Sequence, residues 1–228
     1  MATPVSLVLR RAIDILQDTT SIRWPVPELV RWYNAALNEV MLHRPDAFNK
    51  SATMVCVAGT KQLLPEDGVK LIDVQRNSSG KAVRLCNREI LDAQIPAWHS
   101  LPQKAEIVHF MYDEREPRSF WVYPPATSTA SLIINYAAEP ALATVPAEGA
   151  ELSAVTGDIP CDDVYGNALT DYVLYRAYSK DAEYAGNAER AVAHYTVFAN
   201  ALGIELQRTV GVAPRSRNNP NAAAAQSQ

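Results

Sequence analysis

Glycine is scarce in this chain, nine in 228 residues, and none of them builds GxGxxG or GxxxxGK[ST]. Without such loops there is no backbone cradle for a dinucleotide or a nucleoside triphosphate. A GxSxG elbow and an HExxH helix are missing too, which removes two common signatures of hydrolysis. The cysteines number three, Cys56, Cys86 and Cys161. An odd, widely spaced set gives neither a disulfide framework nor a zinc pattern, and it fits a reducing cytoplasm. His43, His99, His109 and His194 lie far apart, so no metal site and no cofactor are expected. No stretch approaches the ~20 apolar residues that cross a bilayer. The opening Met1-Ala-Thr-Pro-Val-Ser-Leu lacks a basic region followed by an apolar run, so a secretory leader is not expected. An excess of either sign is lacking, with 21 Lys and Arg against 25 Asp and Glu and a mild net of −4. A protein that wraps nucleic acid by neutralising it needs clustered Lys and Arg, which this chain does not show.

What is present is periodic. Val5, Leu9, Ala12, Ile13 and Leu16 make a helical stripe, with Thr3 read as its cap and Pro4 as its first residue. Leu29, Trp32, Tyr33, Leu37, Val40 and Met41 make a second, entered through Pro25 and Pro27 and closed at Pro45. The middle turns β-prone. Strands are expected over 53–57, 69–75, 82–85, 106–112, 120–123 and 131–137, with a turn at Gly59-Thr60 and a hairpin through 76–81. A short helix is expected over 87–93, and 141–158 reads as a long connection wandering over the surface. From Asp162 to Leu206 two amphipathic helices return, the second with Ala188, Ala191, Tyr195, Phe198, Leu202 and Leu206 on one stripe. After Gly211 the pattern stops. Pro, Arg, Asn, Ala and Ser offer little to bury, and such a tail gains order only against neighbours.

Candidates for chemistry are few. Cys161 follows Pro160 at a helix entry, where the dipole favours a thiolate, but Asp162 and Asp163 oppose it and serve better as caps. A Cys-dependent hydrolase using Cys161 with His99 or His109 is the alternative function. The acidic pair Asp113 and Glu114 sits in a polar turn, where neighbours on a strand would face opposite ways. Trp98-His99 is read as packing. Tyr165, Tyr172, Tyr175, Tyr178 and Tyr184 form a row along the first C-terminal helix and its exit. Tyrosines can stack bases, a nucleic-acid reading, but they suit subunit contacts better, because the ring buries while the hydroxyl stays wet. Arg208, Arg215 and Arg217 make the end basic, with no acid after Glu205.

Ordered motifs run through most of the chain. Asp171-Tyr-Val-Leu-Tyr-Arg-Ala-Tyr-Ser-Lys-Asp-Ala-Glu-Tyr-Ala-Gly-Asn187 is the longest. Others are Trp32-Tyr-Asn34 with Arg44-Pro-Asp-Ala47, Gly59-Thr-Lys-Gln-Leu-Leu-Pro65, Leu71-Ile-Asp-Val-Gln-Arg-Asn77, Pro96-Ala-Trp-His99, Tyr112-Asp-Glu-Arg-Glu-Pro117 and Val122-Tyr-Pro-Pro125. Together, from Trp24 to Leu206, they resemble the head-to-tail adaptor (connector) proteins of tailed bacteriophages.

That resemblance implies a non-enzymatic structural protein of the virion neck, made in the host cytoplasm. It would form a ring, commonly of about twelve copies. The ring would bind below the portal protein, seat tail or nozzle proteins, and pass genome DNA through its lumen without sequence-specific contact or a membrane partner. The expected fold is α+β. Residues 1–50 and 159–208 would form an antiparallel helical bundle, 51–158 a β-rich insertion, and 209–228 an extended C-terminal tail. Arg208, Val212, Arg215 and Arg217 are the expected partner-binding residues of the tail segment, and the five tyrosines are the expected subunit-interface residues.

Overall fold

The computed structural model describes residues 3–184 and 186–212, with the backbone alone for 204–212. Among them are five α-helices and two β-sheets, a mixed α+β arrangement.

Helix α1 (Val5–Leu16) buries Val5, Val8, Leu9, Ala12, Ile13 and Leu16, the face its period announces. Pro4, not Thr3, holds the cap position, because its extended backbone (ψ 141°) cannot enter the helix. Thr3 instead donates its backbone N–H to Asp163 at 2.8 Å. At the next corner one carboxylate organises the chain. Asp18 accepts from the backbone N–H groups of Ile22, Arg23 and Trp24 at 3.2, 2.9 and 2.9 Å. Helix α2 (Val26–His43) follows, with Pro27 and Glu28 in its first turn.

The sequence between α2 and the C-terminal helices folds as strands. These are β1 (Asn49–Val55), β2 (Gly59–Leu63), β3 (Gly68–Asn77), β4 (Arg84–Leu85), β5 (His109–Tyr112), β6 (Ser119–Ala126) and β7 (Ser131–Ala138), with helix α3 (Arg88–Gln94) after β4. One sheet has the order β1-β7-β3 and the other β2-β6-β5-β4. The sheets share an apolar cluster in which Leu71, Val74, Leu132 and Ile134 of the first join Phe110, Phe120 and Val122 of the second.

Two strand expectations change. The turn at 76–81 forms, with Asn77 N–H donating to the Lys81 carbonyl at 2.8 Å and a single bridge between Arg76 and Ala82. The expected hairpin is thus present but ends after that bridge and the bond from Val83 N–H to the Gln75 carbonyl at 3.3 Å. β3 spends its ladder on β7, and β4 leaves to pair in parallel with β5 in the other sheet. Gly59-Thr60 is likewise not a turn but the start of β2, paired with Ala126 across a bulge. The positive φ of Gly59 (116°), open to glycine, allows that kink.

Helices α4 (Gly166–Lys180) and α5 (Asn187–Val212) complete the fold. α4 packs against α1, α2 and α5, and all four contribute to one apolar cluster. The helix of α5 runs through Val212, so the expected tail begins as helix over 209–212. The rest of the tail lies outside the described residues. The connection 141–158 does not wander. Leu152 and Val155 enter the helical cluster, and the Asn34 amide clasps Ala143 through two bonds of 2.9 Å. Val5 N–H then donates to the Gly157 carbonyl at 3.0 Å, and Ile159 N–H to that of Thr3 at 2.9 Å. Apolar residues spaced this widely carry no period, so the strap was illegible as a packed element.

One polar group in the helical core carries a cost. Tyr33 is fully buried (0% exposed), and its Oη finds no hydrogen-bond partner among the described residues. Burial pushes its phenol well above the usual range, with the Cys161 thiol adding to the rise. Tyr33→Phe should therefore be neutral or stabilising by about 1 kcal/mol, read from urea denaturation midpoints, because it removes an unpaired hydroxyl.

Candidate interaction surfaces

Several polar residues of the motifs are turned inward, where they hold elements to one another. Arg44 is the clearest. Only 2% exposed, it sends Nε and one terminal nitrogen to the Asp46 carboxylate at 3.0 and 2.7 Å, and the other to the Leu202 carbonyl of α5 at 3.3 Å. This fork joins the end of α2 to the last helix. The Asp46 carboxyl is lowered below the usual carboxylate range, first by its bond to Arg44. Gln62 closes the β1–β2 loop, donating to the Val57 carbonyl and accepting from Val57 N–H at 2.8 and 2.7 Å. Asn77 reaches from the first sheet toward the second, donating to the Ile107 carbonyl at 2.7 Å and accepting from Ile107 N–H at 2.9 Å. Trp98, fully buried beside Met111 and Leu91, donates its indole N–H to Asp92 at 2.7 Å.

The candidate nucleophile sits in the wrong environment. Cys161 belongs to the helical cluster, and burial pushes its thiol up to about 12, with Asp162 and Asp163 adding to the rise. His99 and His109 are elsewhere. His99 stacks on Trp98 (3.7 Å between centroids) and bonds Thr60 at 2.8 Å, and His109 stacks on Tyr123 at 6.2 Å. The structure does not bring the three together, and the hydrolase reading loses its constellation. The acidic pairs are also committed. Asp113 is held down to about 2, chiefly by its bond to Arg115. Asp162 accepts from Val164 N–H, and Asp163 from Thr3 N–H. Among the described residues no group of three or more His, Cys, Asp or Glu is placed to hold a metal ion. No described helix is long and apolar enough to cross a membrane.

The tyrosine row divides. Tyr165, Tyr172 and Tyr178 are buried within the chain, Tyr172 edge-on to Phe198 at 5.1 Å and Tyr178 stacked on His194 at 5.6 Å. Tyr175 is half-buried and leans on Tyr195 at 5.0 Å. Tyr184 stands out, 64% exposed. These rings do not share one open face, as a base-stacking platform requires. Sequence reasoning missed the exposed apolar positions. Val192, Tyr195 and Val197 lie on the outer side of α5, and Val55, Val57 and Leu63 are exposed along β1, β2 and the loop between them. Several grooves border the helices, two of them at α5. One, of about 250 Å³, lies between His43, Arg44 and the Tyr195–Gly203 stretch of α5. The other, of about 580 Å³, lies where the α1–α2 corner meets the α4–α5 turn. Of the expected tail residues, Arg208 and Val212 fall on the part of α5 known by backbone only, and Arg215 and Arg217 lie outside the described residues.

The model of the SU10 adaptor protein family matches residues 3–223. The chain belongs to that family, in agreement with the resemblance to phage head-to-tail adaptors carried by its motifs. No curated protein matches the chain.

Proposed function

We propose that this protein is a structural subunit of the phage neck. Copies of it form a ring beneath the portal, lengthen the DNA channel and seat the first tail or nozzle proteins. The observation that carries this reading is the family match, which spans nearly the whole chain and extends past α5 into the terminal segment. The net charge of −4 supports it, since a strongly basic lumen would grip a passing duplex. A ring of identical copies needs a heterologous contact, in which one surface meets a different surface of the next copy.

In this reading residues 1–50 and 159–208 act as an antiparallel helical bundle facing the portal, and 51–158 as a β-rich insertion facing the tail. The separation of the apolar clusters supports the division, except that Leu152 and Val155, numbered within 51–158, pack with the helices. Tyr184, the exposed member of the tyrosine row, offers the most surface to a neighbouring copy. Arg208, Val212, Arg215 and Arg217 bind the portal, giving the chain a reach that a compact body lacks.

Deleting the residues after Gly211 should leave the thermal unfolding of the body unchanged and weaken sedimentation with portal particles at least tenfold. Unchanged co-sedimentation would remove the terminal segment from portal attachment.

A further inference from the structure

We propose that the groove between the α1–α2 corner and the α4–α5 turn binds a carboxylate side chain from an acidic segment of a partner protein, with Arg190 as its receptor. This deepens the reading above and rests on it, because it takes the face around Tyr184 to be a contact surface.

The groove has a volume of about 580 Å³ and is lined by Arg23, Trp24, Tyr178, Tyr184, Asn187 and Arg190, among others. Both guanidinium groups are laid on aromatic faces. Arg23 lies over Tyr184 at 4.6 Å and over Trp24 at 5.2 Å, and Arg190 lies over Tyr178 at 5.7 Å. A stacked guanidinium is held flat and keeps its N–H edge free for a planar anion. The floor is fixed as well. Trp24 donates its indole N–H to the Ala177 carbonyl at 3.3 Å, and the three Asp18 bonds hold the backbone of the corner.

Charge selects the occupant. Arg23 is ion-paired with Asp181. The Arg190 guanidinium has no hydrogen bond or ion pair among the described residues; only its backbone N–H is engaged, to the Gly186 carbonyl at 3.1 Å. The groove therefore holds one unspent positive charge, beside the amide of Asn187. One carboxylate satisfies it. A DNA strand binds by engaging many cations at once, and this groove cannot supply them. The terminal segment of this chain is no match either, since it carries Arg215 and Arg217 and no acid after Glu205. An acidic stretch of a neighbouring protein fits on sign, on planarity and on number.

The test titrates the full-length protein with capped hexaglutamate, following the arginine Nε–H and tryptophan indole resonances by NMR. Hexaglutamine, hexathymidylate and inorganic phosphate are the comparison probes. Saturable shifts at Arg190 and Trp24 are expected with hexaglutamate alone. Arg190→Ala, at an exposed site, should keep the native spectrum and bind about tenfold more weakly or worse, the loss of one charge-assisted hydrogen bond. Silence with hexaglutamate, equal affinity in the variant, or tighter binding of hexathymidylate or phosphate would overturn the proposal. Co-sedimentation of the unaltered protein with portal particles is read in parallel. If it persists while hexaglutamate is silent, the groove assignment alone fails; if it is absent, the neck reading fails.

Discussion

Phe198→Ala should lower the free energy of unfolding by about 3 to 4 kcal/mol, the range for emptying a phenylalanine from a close-packed core. Phe198 is 1% exposed and sits edge-on to Tyr172 at 5.1 Å. Its effect reaches beyond the cavity because α5 holds the body by a narrow seam. Ala191, Phe198 and Leu202 are its buried apolar residues among those described, and Phe198 is the largest. Without it the helix loses its main anchor, and the terminal segment loses its base. Urea denaturation gives the loss in stability. Hydrogen exchange gives its location, with amides of α5 expected to lose protection first. Protection lost evenly over both sheets would contradict the seam.

Arg44→Ala should cost about 3 kcal/mol, the low end for breaking a buried ion pair. The low end applies because side-chain exposure is 3% for Arg44 but 45% for Asp46, so the carboxylate left behind is partly hydrated. The variant also removes the Arg44 bond to the Leu202 carbonyl at the far side of the same seam. A pH series separates the ion pair from the packing. The Asp46 carboxyl is depressed in the folded protein, first through its bond to Arg44. Its contribution is therefore complete above the unfolded carboxylate value of about 3.9 and fades as the pH falls through the lower folded value. The unaltered protein should lose stability over that acid window, and Arg44→Ala should lose less there. Parallel curves would show that the pair contributes nothing beyond volume.

Periodicity reveals the first of these positions and not the second: Phe198 lies on the apolar stripe of α5, whereas Arg44 belongs to no stripe. The stripes of α1 and α2 were legible because a helix that buries one face repeats its apolar residues at steps of three and four. The stripe of α5 was legible only in part. Tyr195 lies on it and is nevertheless 42% exposed, since the helix meets α4 along a line narrower than its apolar face. Strands were found near their places, but their partners were not. β3 pairs with β7 across a long stretch of chain, and nothing local in either strand names the other. The polar joints were the least legible. Asn34 clasps a backbone 109 residues away, and Asn77 one 30 residues away. In sequence each is an ordinary Asn. The adaptor resemblance was carried by such residues all the same, since Asn34, Arg44, Gln62, Asn77 and Trp98 fall inside its motifs. Their work is to hold the scaffold. The surfaces that would meet partners carry no such signature, because exposed Val192 or Tyr184 reads as an unremarkable position until the fold shows it uncovered.

Native mass measurement of the purified protein, alone and after mixing with portal particles, tests the central claim most directly. The account predicts a closed set of copies added to each portal, in one defined number. A chain that stays monomeric and leaves the portal mass unchanged would contradict it.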